Sequence, residues 1–197
     1  MKIIGITGGI GSGKTAVLKI MEQDYGAFIM EADALAHRLM EPGQKSYRDI
    51  VEHFGREILG ADGQIDRSRL STIVFGDQKE LEVLNSITHP NVKQAILESI
   101  EQQRTNGCEL YVLEAALLIQ DGYLDICDEM WFVYADLDKR IERLCSYRNF
   151  TEEKASKVIA SQEPDSYYDR NCTKKIDNSG DLVKLKEQLR LAMEIDS

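Results

Sequence analysis

Residues 8–15 read Gly8-Gly9-Ile10-Gly11-Ser12-Gly13-Lys14-Thr15, which fits the pattern G-x-x-x-x-G-K-[ST]. Each residue type has a job at that spacing. The glycines let successive backbone N–H groups turn inward and pack against phosphate oxygens. A helix opening near Gly13 adds roughly half a positive charge at its N-terminus. Lys14 supplies a full charge toward β- and γ-phosphates, and the Thr15 hydroxyl is placed to ligate Mg²⁺. The expected nucleotide-binding set is Gly9, Gly11, Ser12, Gly13, Lys14, Thr15 and Ala16, with Thr15 as metal ligand. This pattern specifies a nucleoside triphosphate and leaves the reaction open.

Such a loop needs a strand to deliver it and a helix to leave it. Lys2–Thr7 is a β-branched apolar run of strand length, and Ala16-Val17-Leu18-x-Ile20-Met21 has helical spacing. Further strands are expected at Ala27–Met30, Leu110–Leu113, Met130–Tyr134 and, more weakly, Thr173–Ile176. Helical patterns lie between and after them. Leu137, Ile141 and Leu144 share one face; Pro90 suits the first position of a helix carrying Val92, Ile96 and Ile100; and Leu182, Leu185, Leu189, Ala192 and Met193 mark a last helix. Alternating strands and helices predict an α/β fold with a parallel five-stranded sheet of the P-loop NTPase type, flanked by helices. The stretch 34–107 is too long for one crossover and reads as helix and turn, so a helical substrate-binding insert is expected there. The polar stretch 147–170 is either a lid or a solvated helical hairpin, and the nucleotide-binding core is assigned to 1–33, 108–146 and 171–197.

The net charge is −10, which argues against general nucleic-acid binding and obliges a polyphosphate site to bring its own local cations. Arg140 and Arg143 lie three apart on the helix after the fourth strand, with Arg148 one turn later; either they meet the phosphoryl group or they form an ordinary solvated face. No apolar run is long enough to span a membrane, and the N-terminus lacks a secretory signal, so a cytoplasmic protein is expected. Cys108, Cys127, Cys145 and Cys172 are scattered and form no C-x-x-C pair, which disfavours zinc and a disulfide framework.

Three kinds of triphosphate user compete. A GTPase switch lacks support: there is no N-K-x-D guanine motif, and the only D-x-x-G match runs from Asp177 to Gly180 near the end of the chain. A motor would carry an apolar strand ending in Asp or Asp-Glu, which is absent. A small-molecule kinase needs a base for its acceptor hydroxyl. Asp33 lies past the carboxyl end of the second strand, where open α/β sheets bind ligands, and is the candidate; the other reading makes it the cap of a helix starting at Ala34.

Taken in order, these pieces resemble the dephospho-coenzyme A kinase family nearly end to end. The resemblance rests on Ile4–Thr15, Glu31-Ala32-Asp33, Glu41-Pro42-Gly43, Phe54-Gly55, Asp62-Gly63, Ile65-Asp66-Arg67, Val74-Phe75, His89-Pro90, Leu117-Leu118 and Ile176–Gly180. It implies transfer of the ATP γ-phosphoryl group to the ribose 3′-hydroxyl of dephospho-CoA, with Mg²⁺ accompanying ATP. Asp33, Lys14 and Arg140 become the catalytic set, Arg148 approaches the ATP base, and Asp33, His89 and Glu114 meet the substrate. ATP and dephospho-CoA are the expected partners, without nucleic acid or membrane, for a monomer or weak homo-oligomer. Departures from the family pattern are Glu31 for its first aspartate, Ala116 for a proline, Gln120 for an acid and Tyr147 for an arginine. Glu114, at the end of the third strand, either replaces the missing acid near the metal or is a solvated strand end. The remaining readings are a kinase of another nucleoside or nucleotide and a nucleotide-binding regulatory protein without turnover.

Overall fold

A computed structural model describes residues 1–194. They divide into two compact units, 1–30 with 106–194, and 31–105. The strands are β1 (Lys2–Thr7), β2 (Phe28–Glu31), β3 (Leu110–Glu114), β4 (Glu129–Tyr134) and β5 (Lys174–Asp177), in the order β2-β3-β1-β4-β5. β1 runs parallel to β3 and β4, with Ile6 opposite both Glu114 and Trp131, and β4 runs parallel to β5. The central strands are covered on both faces, so their sequences are nearly continuous apolar runs rather than alternating ones. Ile4, Ile6, Val112, Trp131 and Val133 are buried with Val17 and Met21 of α1 (Lys14–Tyr25) and with Leu185 and Leu189 of α9 (Leu182–Glu194).

Two expected helix faces are corrected. Leu182 is exposed at the first position of α9, so its stripe begins at Leu185. In α6 (Leu137–Arg148), Leu137 is 55% exposed while Arg140 and Leu144 are buried. The buried face is therefore rotated from the Leu137/Ile141/Leu144 stripe, because the partner waiting for Arg140 is polar backbone rather than apolar side chains.

The second unit is helical, with α2 (Ala32–Leu39), α3 (Lys45–Phe54), a short 3₁₀ turn at Arg56–Ile58, α4 (Arg67–Gly76) and α5 (Gln78–Thr105). Ile50, Phe54, Ile58, Leu70 and Val74 form its core, with Leu81, Leu84 and Ile87 packed on it. Asp66 caps α4 by accepting from the N–H groups of Ser68 and Arg69. Pro90 does not start a helix: it lies inside the 28-residue α5. A mid-helix proline forfeits a backbone hydrogen bond and costs about 3 kcal/mol. Burial on both sides offsets that cost here, through Leu84 and Ile87 before Pro90 and Val92, Ile96 and Ile100 after it. The buried Asn91 adds a hydrogen bond to Asp49 at 3.0 Å.

Candidate active site: a phosphate loop held from outside

The loop leaves the carboxyl end of β1, in the middle of the sheet, and runs into α1. Its carbonyls are claimed by side chains from elsewhere in the fold. Lys14 Nζ donates to the Gly8 carbonyl at 2.9 Å, and Arg140 Nε to that of Ile10 at 2.9 Å. Arg143 Nη1 donates to the carbonyls of Gly11 at 3.3 Å and Ser12 at 3.0 Å. The buried Asn178, just past β5, donates Nδ2 to the Ser12 carbonyl at 2.8 Å. Arg143 Nη2 closes the ring by donating to the Asn178 carbonyl at 2.7 Å.

With the carbonyls fixed outward, the peptide planes turn their N–H groups the other way. Among the described residues, the N–H groups of Gly11, Gly13, Lys14 and Thr15 make no hydrogen bond. Together with the N-terminus of α1, they form a nest of donors suited to an anion. Two members of the expected set are otherwise engaged: the Ala16 N–H donates to the Gly13 carbonyl at 3.0 Å and the Ser12 N–H to that of Gly9 at 3.2 Å. Ser12 Oγ is buried and has no hydrogen-bond partner among the described residues. Gly13 has φ 90°, a left-handed conformation that glycine adopts without strain, and a Cβ there would strike Asn178 Nδ2. A Cβ on Gly11 would come within 2.9 Å of the Arg140 carbonyl, so α6 packs directly on the loop.

Lys14 also lies 3.5 Å from Glu114 Oε1, both side chains being largely buried. Glu114 is thus at the loop and not a solvated strand end. The Thr15 hydroxyl is exposed at the start of α1 and makes no hydrogen bond among the described residues. No group of three or more His, Cys, Asp or Glu side chains suited to a metal occurs among those residues.

Asp33 is the second residue of α2, whose N-cap is Glu31. The helix begins two residues earlier than the capping alternative required, so Asp33 is not a cap. Its exposed carboxylate has no hydrogen-bond partner among the described residues and follows the carboxyl end of β2 directly. His89 is exposed on α5, one residue before Pro90. Arg148 ends α6, exposed, and Arg170 is exposed on α8 (Asp165–Asn171).

Arg140 is only 8% exposed, and its desolvation lowers the guanidinium pKa, partly opposed by the charge of Asp165. It is occupied with the loop's outer surface rather than standing as a solvated arginine. The stretch 147–170 contains α7 (Glu152–Ala160) and most of α8. Tyr168 of α8 is buried and stacks on Phe132 of β4, with ring centroids 4.7 Å apart and planes 13° apart. The α8 part is therefore packed on the sheet. Sequence reasoning gave no loop-holding role to Arg143, Gln162 or Asn178. Among them only Asn178 stood within a quoted motif, Ile176–Gly180.

A parallel sheet carrying this loop between β1 and α1, with an added helical unit, defines a P-loop kinase. Among solved structures, the chain is similar in fold to shikimate kinase from Bacteroides thetaiotaomicron (TM-score 0.58, 11% identity, 98% of this chain and 97% of that one). It is more similar to TT1252 from Thermus thermophilus (TM-score 0.83, 26% identity, 99% and 97%). A profile of the family described as dephospho-CoA kinase matches residues 2–184. The dephospho-CoA kinase of Carboxydothermus hydrogenoformans is 38% identical over 96% of this chain and 91% of its own length. That of Corynebacterium diphtheriae is 38% identical over 99% and 96%. The chain belongs to the dephospho-CoA kinase family.

Proposed function

We propose that this protein transfers the γ-phosphoryl group of ATP to the ribose 3′-hydroxyl of dephospho-CoA, giving ADP and CoA, the last step of coenzyme A biosynthesis. The observation that carries the reading is the chain-long family match, which includes the phosphate loop and the helical unit alike. Phosphoryl transfer asks for positioning, charge neutralisation and a base. The N–H groups of Gly11, Gly13, Lys14 and Thr15 take the phosphate oxygens, and Lys14 moves its charge from Glu114 and the Gly8 carbonyl onto the transferring group. Arg140 and Arg143 neutralise charge from behind the loop while holding its shape. Asp33 accepts the proton of the 3′-hydroxyl, a role suited to an exposed carboxylate without a competing partner. His89 and Glu114 are assigned to the acceptor and Arg148 to the base of ATP, as the family resemblance implies.

The donor set fits Mg²⁺. The Thr15 hydroxyl is uncommitted, Glu114 offers a carboxylate oxygen beside the loop, and a kinase magnesium takes most of its oxygens from phosphates and water. When bound, that ion screens the β- and γ-phosphate charge. The four free thiols are consistent with a reducing, cytoplasmic setting. ADP release with magnesium-ATP should require dephospho-CoA, and the product should carry a new 3′-phosphomonoester by ³¹P NMR. Equal ADP release without an acceptor would overturn the reading.

A further inference from the structure

Gln162 lies in the turn between α7 and α8, and nothing in the reaction chemistry assigns it a task. Its Oε1 accepts two hydrogen bonds at once, from the Ile10 N–H at 2.9 Å and from Arg140 Nη2 at 2.8 Å. Arg140 Nε meanwhile donates to the Ile10 carbonyl at 2.9 Å. Ile10 is thus gripped at both its N–H and its C=O by one two-residue clamp. The clamp also explains the doubled glycine. A Cβ on Gly9 would collide with Arg140 Nη2 and come within 2.9 Å of Gln162 Oε1.

Gln162 is itself anchored. Its N–H donates to the Ile159 carbonyl at 3.1 Å, and the Ser161 N–H to that of Lys157 at 3.1 Å. On the far side, α8 is pinned by the stack of Tyr168 on Phe132. Arg140, the intermediary, is buried and offered little water in compensation. We propose that Gln162 is a positioning residue for phosphoryl transfer: through its oxygen and Arg140 it holds Ile10, and so keeps the neighbouring N–H donors aimed at the triphosphate. The inference rests on reading residues 8–15 as the triphosphate site. It locates the working atom as well. Oε1 makes both bonds, whereas Nε2 makes none among the described residues.

The test uses the full chain with Gln162→Leu, which removes the oxygen, and Gln162→Glu, which keeps an acceptor at the same reach. Steady-state kinetics with magnesium-ATP and dephospho-CoA are paired with NMR amide exchange at Ile10 and with thermal melts. Gln162→Leu should lower kcat/KM for ATP about tenfold, the scale of one or two lost hydrogen bonds to a charged and a neutral donor. Ile10 exchange should rise about tenfold without a matching rise along β1 and α1, and Gln162→Glu should restore most of the Ile10 protection. Unchanged Ile10 exchange in Gln162→Leu overturns the proposal. So does a Gln162→Glu variant as unprotected as the leucine variant, or faster exchange spread evenly through β1 and α1. If Gln162→Leu does not fold, Gln162→Asn withdraws the oxygen by one methylene and should release Ile10 in the same way; protection retained there overturns the proposal too. Absence of turnover with dephospho-CoA alongside the expected Ile10 response supports the Gln162 assignment and overturns the acceptor reading.

Discussion

Replacing Asn178 by alanine perturbs the phosphate loop without touching its inner surface. The side chain is 5% exposed and gives one good hydrogen bond, Nδ2 to the Ser12 carbonyl at 2.8 Å, and a marginal one to Gly13 at 3.5 Å. The backbone contacts of residue 178, its N–H to Tyr134 and its carbonyl to Arg143, survive the substitution. The Ser12 carbonyl also keeps its bond from Arg143 at 3.0 Å. The loss is therefore one neutral hydrogen bond of about 1 kcal/mol, plus up to about 1 kcal/mol for the support withdrawn from Gly13. For a chain of this length, about 1–2 kcal/mol corresponds to a fall in Tm of roughly 2–8 °C. The same energy, felt at the loop, bounds the loss in ATP binding at about 5- to 30-fold. Because Asn178 lies outside the loop, KM for ATP should rise toward the lower end of that range while kcat stays within about twofold. A coupled ADP assay with saturating acceptor and a melt of the same preparation supply both numbers. An unchanged KM and Tm would show that the loop does not lean on Asn178. A collapse of kcat at constant KM would place the residue at the reacting groups.

Three further perturbations test separate parts of the chain. Asp33→Asn should lower kcat by about 10²- to 10⁴-fold, the usual reach of general-base catalysis, while ATP binding by calorimetry is kept; near-intact turnover would remove Asp33 from the chemistry. Pro90→Ala restores a backbone donor inside α5 and should raise Tm by a few degrees, less than the full helix penalty because the unfolded chain gains freedom; a lower Tm would mean that packing around α5 depends on the proline. Burial pushes the Cys127 thiol up to about 12 and the Cys172 thiol up to about 11, with the charges of Asp128 and Asp169 adding to the shift. Since the thiolate is the nucleophile, labelling of both in the folded protein at pH 8 should run well over tenfold slower than in urea and should still climb about tenfold per pH unit past pH 9, where the rate in urea levels off, as mass spectrometry of the labelled peptides can show.

The loop, the strands and the acidic residue after β2 were legible in the sequence because each is a local signal: glycine spacing, short apolar runs, a carboxylate at a strand end. What escaped was long-range and polar. Arg140 lies 130 residues from Ile10 and Asn178 lies 166 from Ser12. No periodicity announces a side chain whose partner is a loop carbonyl. The helical phase of α6 was misjudged for the same reason, since an arginine on the buried face reads as solvated until its acceptor is known. Pro90 followed the local rule for a first helical residue, and the apolar positions on both sides of it overrode that rule. Of the two readings of Asp33, the cap required a helix starting at Ala34; α2 starts at Ala32, which leaves Asp33 an unengaged carboxylate.

The account stands most directly on which acceptor receives the phosphoryl group. One vessel holding the enzyme, magnesium, γ-labelled ATP and equal concentrations of dephospho-CoA, adenosine, AMP and shikimate measures that choice. The label should pass almost entirely into CoA, with ADP formed in step. Label in adenosine, AMP or shikimate at a comparable rate, or ADP formed with no labelled acceptor, would contradict it.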